Sequence, residues 1–399
     1  MRESTQAWLS SRLNTTLDGA ISFVPWVIQE SFQAGRLDER QVIVYRAEAA
    51  VVFSDASGFT ALTEGLAKKS NGAELLSKCL NKFFTPLIDL INAYRGDTIK
   101  FSGDALTIIF PAIEDEGVDF PCGTPNCKHH SPIELAVLRA SACCLEIHKR
   151  LHNFETGVLK PDGSEVLLAL HIGVGSGAIT VLQVGGLNPP LGAAGRYEYV
   201  VAGPPLEQIS IAEPLAVSGE TVLSPQAWAH VKDTVKEGAT IEERPEFHRL
   251  VALDTNFHTY PTVKIASQKH DRRTAFRLLP SQLKVARRFI PGAVFKQIEN
   301  GTLQYVNEMR TISVIFVQVI GVDVSTDTGA EKAQQLMDAI QRGCYPHEGF
   351  VNKFLVDDKG LLFLCIFGQP PLVHTDDATR AVLATFDMLS GVMALGLEA

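Results

Sequence analysis

Two aspartates stand where apolar runs end or turn. Asp55 closes Ala49-Ala50-Val51-Val52-Phe53-Ser54-Asp55 just ahead of Ala56-Ser57-Gly58-Phe59-Thr60, and Asp104 lies in Ile99-Lys100-Phe101-Ser102-Gly103-Asp104-Ala105, forty-nine residues further on. The run 49–53 is too short and too β-branched for a helix and stops at a Ser/Gly break. It reads as a buried strand that feeds a loop and then a helix from about Leu62. Thr98 to Phe101 and Leu106 to Phe110 flank a tight Ser102-Gly103 turn and read as a hairpin. Two strand-end carboxylates on one sheet can converge on Mg²⁺, a hard cation that takes one or two carboxylates and leaves its other positions to water and substrate phosphates. The backbone after Asp55 opens a helix, where amides and the helix dipole favour an anion, and Gly58 lets that backbone approach closely. Together these residues point to nucleotide chemistry.

The elements that must carry them alternate strands with amphipathic helices. A helix is expected over Asn81 to Ala93, a second over Ile133 to Phe154, then strands Val166 to Val174, Ile179 to Val184 and Tyr197 to Ala202. This pattern predicts an α+β sandwich with helices over one face of a mainly antiparallel sheet. The chain also aligns weakly with itself. Ala49 to Asp55 matches Ile312-Ser-Val-Ile-Phe316-Val-Gln318, and Gly96 to Asp104 matches Gly349-Phe-Val-Asn352-Lys353-Phe354-Leu-Val-Asp357, followed by the apolar run Leu361 to Phe367. The expected division is an N-terminal helical extension over 1–45, including a helix-like Phe23 to Gly35, a first domain over 46–235, a connecting segment over 236–307 that ends in a helix near Gly292 to Met309, and a second, incomplete domain over 308–399.

A chain of 399 residues with 46% hydrophobic residues can build more than one core. A formal net charge of -9 without a dense Lys/Arg tract excludes a nucleic-acid footprint or a polybasic membrane patch. No apolar run reaches the roughly eighteen residues of a membrane span, and the N-terminus lacks a signal pattern, so an intracellular, cytoplasmic chain is expected. The seven cysteines, mostly in apolar runs (Cys79, Cys143, Cys144, Cys365), suit buried thiols in a reducing compartment. Cys122, Cys127, His129 and His130 offer zinc ligands in a Pro/Gly-rich loop. The wide gap between the thiols and the adjacent histidines favour a surface insertion over a zinc site.

The two aspartate segments resemble the metal-binding signature of class III nucleotide cyclases, and the tandem catalytic domains of soluble, bicarbonate-type adenylyl cyclases in particular. The match runs through Asn92-Ala-Tyr-Arg95-Gly96-Asp97-Thr-Ile-Lys100-Phe-Ser-Gly103-Asp104-Ala105-Leu. The resemblance implies tandem ferredoxin-like, palm-type domains that convert ATP to 3',5'-cyclic AMP and pyrophosphate at the interface of the two. It implies two Mg²⁺ or Mn²⁺ ions on Asp55, Asp104 and the backbone of Ala56, with the triphosphate along Ser57, Gly58, Phe59 and Thr60. Gln318 replaces Asp55 in the second copy, so only the first copy keeps both aspartates, while Lys353 falls where the family's second domain reads the adenine edge.

The match is incomplete in two places. The family's later Val-Asn-x-Ala-Ala-Arg motif, which orients ribose and stabilises transition-state charge, is not reached before Ala399, and Gly203 to Ile211 carries neither Asn nor Arg at the aligned positions. Three expectations follow: the remainder belongs to a longer protein from which this chain is cut, a second chain completes the second domain, or the chain is a weak or catalytically silent cyclase-like module that binds nucleotide or serves as a scaffold. Lys100 matches the lysine of the family's bicarbonate site, but Ser210 stands at its arginine position, so the anion site keeps a single cation.

Overall fold

The apolar run 49–53 is the centre of a longer strand, β1 (Ile43–Ser57), whose residues Ala49 to Val52 are buried. β2 (Asp97–Ser102) and β3 (Ala105–Pro111) form the expected hairpin, and β3 lies antiparallel to β1 with Phe53 opposite Thr107 and Ser54 opposite Leu106. This register brings Asp55 toward the turn that carries Asp104. The computed structural model describes residues 16–33, 43–67, 69–113, 131–160, 162–190, 195–254, 282–302, 310–357 and 360–397. The Cys122, Cys127, His129 and His130 group lies outside the described residues.

The remaining strands are β4 (Phe154–Leu159), β5 (Glu165–Gly185), β6 (Tyr197–Ala202), β7 (Thr221–Leu223), β8 (Val235–Ile241) and β9 (Arg244–Leu253). The sheet order is β2-β3-β1-β5-β7-β9-β8, with β4 and β6 each pairing with β5, and only β5 with β7 is parallel among the registers observed. Helices α1 (Trp26–Gln33), α2 (Phe59–Ala67), α3 (Gly72–Ala93) and α4 (Pro132–Leu151) precede β4. Leu62, Phe83, Leu87, Leu138 and Cys144 from α2 to α4 share one core with Val52, Ile108, Leu168 and Leu170 of the sheet, which gives the expected mainly antiparallel α+β architecture. α4 starts where its sequence dictates: Ser131 and Glu134 form a reciprocal capping box and Pro132 occupies the first turn.

Several boundaries differ from expectation. α3 begins at Gly72 rather than Asn81, because Glu74 to Leu80 continues the same amphipathic stripe. The two strands expected over 166–184 are one 21-residue strand, β5, because Gly175 and Gly177 need not break an extended chain. A Cβ on Gly175 would lie 2.7 Å from the Pro205 carbonyl oxygen, so this glycine serves close approach rather than a turn. The expected end of the first domain at 235 does not coincide with a structural division, since β8 and β9 pair into the first sheet. The described residues instead divide into two compact units, one drawn from Arg46–Ile179 and Gly203–Arg273, the other from Met1–Tyr45, Thr180–Ala202 and Thr274–Ala399.

α5 (Pro204–Ala212) and α6 (Pro225–Val231) belong to the first unit; the second unit contains α7 (Gly292–Asn300), then β10 (Ser313–Val319), β11 (Phe350–Asp357) and β12 (Gly360–Phe367), ordered β10-β12-β11, with α8 (Asp327–Cys344) and α9 (Asp377–Ala394). The β5–β6 end belongs here for a physical reason. Gln334 of α8 holds both the amide and the carbonyl of Gly185, while Gln341 accepts from Leu187 N–H at 3.1 Å and donates to the Arg196 carbonyl at 2.9 Å. Arg288 adds bonds to the Gly186 and Gly195 carbonyls and lies 4.1 Å above the Tyr197 ring.

The two aligned hairpins, one in each unit, share local geometry. Arg95 and Glu348 both adopt positive φ, 59° and 61°, immediately before Gly96 and Gly349. A Cβ on either glycine would strike an aromatic ring of its own sheet, Phe110 or Phe367. Each first strand has a register shift just before its lysine, between Thr98 and Lys100 and between Val351 and Lys353. Phe53 faces Thr107 and Phe316 faces Leu364, and those partners also face Lys100 and Lys353. Asp357, aligned with Asp104 by sequence, is still in strand β11 opposite Gly360, because the second hairpin is longer.

One buried cation pins the first hairpin. Arg139 of α4 is 1% exposed and donates to the carbonyls of Tyr94 and Arg95 at 3.2 Å each and of Pro111 at 2.6 Å. It satisfies the end of α3 and the end of β3 at once, and so fixes the hairpin that bears Asp104. Arg139→Met keeps much of the volume but strips three carbonyls, one buried and two part-buried, of a charged donor. It should destabilise the protein by about 3 kcal/mol or more, read as a lowered urea midpoint with an unchanged slope; a shift under about 1 kcal/mol would contradict this role.

Candidate active site

Asp55 lies near the end of β1 with its side chain 32% exposed, and Asp104 is half-buried beside the positive-φ turn residue Gly103. The two sit within electrostatic reach. Burial pushes the Asp55 carboxyl above the ordinary aspartate range, the Asp104 charge raises it further, and His171 together with the Ala56 N–H pulls it back. The structure thus brings together the two acids that the sequence singled out.

The turn after Asp55 is held against β5. Ala56 is buried, the Ser57 hydroxyl donates to the Ala169 carbonyl at 3.1 Å, and Gly58 has φ of 94° with the Leu167 carbonyl oxygen only 2.2 Å from where a Cβ would stand. Any side chain at position 58 would collide with backbone as well as strain φ. Phe59 and Thr60 form the first turn of α2, where the earliest N–H groups have no acceptor within the helix and present a positive end. Thr60 is exposed, so this helix start opens to solvent.

Two further residues enter the site that sequence reasoning did not single out. His171 projects from the middle of β5, and its Nε2 lies 3.4 Å from Asp55 Oδ2. Its Nδ1 lies 2.6 Å from Glu213 Oε1, in the turn that follows α5 (Pro204–Ala212). The Nδ1 contact is a close charge approach whose direction falls outside that of a hydrogen bond. Burial raises the Glu213 carboxyl, Asp55 adds to the rise, and His171 opposes it. The signal in the sequence was slight: His171 is the one titratable side chain in the apolar run Val166 to Val174. Nothing local announces Glu213.

Among the described residues, Asp55, His171 and Glu213 are a set whose ligand atoms lie within 4.8 Å of one another. Two carboxylates, those of Asp55 and Glu213, therefore surround one imidazole, and the charge of Asp104 reaches Asp55 from outside that set. Oxygen donors that raise one another's proton affinity suit a divalent cation, so the residues present fit the hard metals expected from the sequence.

The other predicted residues lie elsewhere or in other roles. Lys100 is half-buried on β2, paired with Thr107. Ser210 is exposed on α5 and donates to the Glu207 carbonyl at 2.8 Å. Its neighbour Gln208 accepts from the Ser176 amide and the Ser224 hydroxyl, at 2.8 Å each, which ties it into the fold. In the second unit, Lys353 is half-buried on β11. Burial lowers its ammonium below the ordinary lysine range, and Glu198 opposes the shift. Glu198 is 2% exposed and also accepts from Arg196. Gln318, at the position aligned with Asp55, is exposed on β10.

A consequence for stability follows from Asp55. Its folded-state pKa is raised, so the native state binds that proton more tightly than the unfolded chain. Stability then falls as pH rises from the ordinary aspartate value through the raised one. In metal-free buffer at pH 7, Asp55→Asn should unfold at a higher temperature than the native sequence, and the gap should close as pH approaches 4. A variant that melts lower at pH 7 would contradict this.

No family model matches the chain. Over 369 residues it is 26% identical to adenylate cyclase type 10 of Homo sapiens, a match that covers 86% of this chain and 20% of that protein. Against adenylate cyclase type 10 of Rattus norvegicus the identity is 24% over 408 residues, covering 95% of this chain and 23% of the relative. The chain thus spans about a fifth of the length of these curated relatives. Among solved structures, the adenylyl cyclase CyaB from P. aeruginosa is similar over 54% of this chain and 98% of that one, at 21% identity and a TM-score of 0.37. A class III adenylyl cyclase-like ATP-binding protein from Pseudomonas aeruginosa is similar over 89% of this chain and 73% of that one, at 12% identity and a TM-score of 0.48.

Proposed function

From a resemblance to class III nucleotide cyclases that extends over most of the chain, we propose that this protein cyclises ATP to 3',5'-cyclic AMP and pyrophosphate. The observation that carries the proposal is the meeting of Asp55 and Asp104 beside a glycine-bearing helix start. In this reading the ribose 3'-oxygen forms a bond to the α-phosphorus, and the bond from that phosphorus to the bridging oxygen of the leaving pyrophosphate breaks. Divalent cations, Mg²⁺ or Mn²⁺, would supply acidification of the 3'-hydroxyl and neutralisation of the departing phosphates.

The chain's own part is positioning. Asp55 and Asp104 hold the cations, with the Ala56 backbone as a further oxygen donor. The backbone of Ser57, Gly58, Phe59 and Thr60 takes the phosphates, Gly58 because only a residue without a side chain leaves room there. The Ser57 hydroxyl is committed to the fold through the Ala169 carbonyl, so its part in phosphate binding would fall to the backbone. Lys353 is the candidate reader of the adenine edge, where a half-desolvated ammonium donor discriminates strongly because a mismatched base leaves it unpaired. A cytoplasmic setting is consistent with the free, buried thiols of Cys79, Cys143, Cys144, Cys344 and Cys365. Among the described residues no helix is long and apolar enough to cross a membrane.

One observation favours a silent, nucleotide-binding form instead: α5 offers Glu207, Gln208 and Ser210 where the family pattern has an Asn and an Arg, and Gln208 is engaged within the fold. The readings separate by product formation. With ATP and either Mn²⁺ or Mg²⁺, the chain should release cyclic AMP, and Asp104→Asn should reduce the rate at least a hundredfold with ATP binding weakened less. GTP should be a poorer substrate, and Lys353→Met should narrow the ATP to GTP ratio at least tenfold. No cyclic nucleotide from the native chain, with ATP still bound, would overturn the enzyme reading in favour of the silent one.

A further inference from the structure

We propose that His171 is a nitrogen ligand to the divalent cation that Asp55 holds, fixed in place by Glu213, so that the site prefers Mn²⁺ and similar first-row ions to Mg²⁺. This rests on the reading of Asp55 as a metal-holding residue.

The two ring nitrogens of His171 do different things. Nδ1 approaches Glu213 to 2.6 Å, whereas Nε2 stands 3.4 Å from Asp55 Oδ2. The second distance is long for a hydrogen bond to a carboxylate. It equals the separation of about 3.4 Å between neighbouring tetrahedral ligands when metal–ligand bonds are roughly 2.1 Å, and octahedral neighbours come about 0.4 Å closer. An imidazole that binds a metal through one nitrogen nearly always gives the other to a carboxylate or carbonyl, which sets its tautomer and aim. The Glu213 carboxylate stands in that place, 2.6 Å from Nδ1, and needs only a small reorientation of the ring to accept from it.

The backbone is shaped for this approach. Gly173, two residues along β5 from His171, faces the Glu213 main chain, and a Cβ there would lie 2.6 Å from Glu213 N and 3.0 Å from its Cα. Ile172 and Val174 on the same strand are fully buried, so His171 projects from a rigid element. Charge points the same way. Asp55 is flanked by the acids Asp104 and Glu213, negative charge that a bound cation would offset.

The chemical consequence is selectivity. Mg²⁺ favours an all-oxygen, largely hydrated shell, whereas imidazole suits later first-row ions and is accepted by Mn²⁺. An oxygen-only pair, Asp55 with Asp104, would leave the Mg²⁺ preference of such sites in place; adding His171 tilts it.

The probe is Mn²⁺ alone, added to the untagged, metal-free full chain without nucleotide and followed by electron paramagnetic resonance. Bound Mn²⁺ should show ¹⁴N modulation in the electron spin echo, and that signature should vanish in His171→Gln. The same variant should weaken Mn²⁺ binding by roughly 10- to 100-fold, with Mg²⁺ binding, measured by competition, weakened less. Glu213→Gln should keep a nitrogen signal but weaken Mn²⁺ about tenfold. Circular dichroism and the thermal midpoint report whether each variant is folded, and Gly173, left native throughout, keeps the backbone approach intact. If Asp55→Asn abolishes Mn²⁺ binding while His171→Gln leaves it unchanged and no ¹⁴N coupling is seen, His171 is a counter-charge, the inference falls, and the reading of Asp55 stands. If Asp55→Asn binds Mn²⁺ as the native chain does, the reading of Asp55 falls and takes the inference with it.

Discussion

Two like charges, one near the end of β1 and one in the turn of the neighbouring β2–β3 hairpin, are the constraint around which the first unit is arranged. The β1–β3 register, with Ser54 opposite Leu106, carries Asp55 to the turn that bears Asp104, and partial burial sharpens their repulsion. A fold that wanted only stability would place an amide or a hydroxyl there. Much of the surrounding structure can be understood as holding this unfavourable pair still. Arg139 ties the carbonyls at the end of α3 to that of Pro111 on β3, so the Asp104 hairpin is anchored from beneath. Gly58 lets the Asp55 turn press against the Leu167 carbonyl, and His171 with Glu213 presses on Asp55 from β5 and the end of α5.

The tandem hairpins separate what a repeat retains for shape from what it retains for chemistry. The positive-φ residue before a glycine, the aromatic ring against that glycine, and the register shift before the lysine are present at Arg95-Gly96-Lys100 and again at Glu348-Gly349-Lys353. These are steric necessities of the same bulged hairpin, and each is expensive to lose. The acids follow a different rule. Gln318 stands exposed where Asp55 would be, and the second hairpin is longer, so Asp357 stays within its strand rather than in a turn. Shape is common to both copies, and the paired carboxylates belong to the first.

The parts of this arrangement legible in sequence are those with local causes. A β-branched run stopped by Ser and Gly, a two-residue turn between apolar strands, and Ser131-Pro132 with Glu134 three residues past the cap are decided within a few residues, and β1, the β2–β3 hairpin and α4 appeared where those signals lie. The misreadings were long-range. The Gly175–Gly177 stretch looks like a strand break, but Gly175 serves close approach to Pro205 and the strand runs on, so two expected strands are one. β8 and β9 carry many exposed polar residues, which disguised them as a linker although their ladder pairs with β7. The 180–202 hairpin is assigned to the second unit by Gln334 and Gln341, residues some 150 positions away, through bonds that no local pattern announces. His171 and Glu213 fail to stand out for the same reason: their meaning lies in the strand order that sets β5 beside β1.

The central claim, that Asp55 and Asp104 jointly hold divalent cation for a nucleotide triphosphate, is tested most directly by a crystal structure of the chain with Mn²⁺ and a non-hydrolysable ATP analogue, read by anomalous scattering. An anomalous peak is expected within bonding distance of both carboxylates, with the phosphates lying along the backbone of residues 56–60. Nucleotide bound without an anomalous peak at Asp55 and Asp104, or phosphates seated away from that helix start, would contradict it.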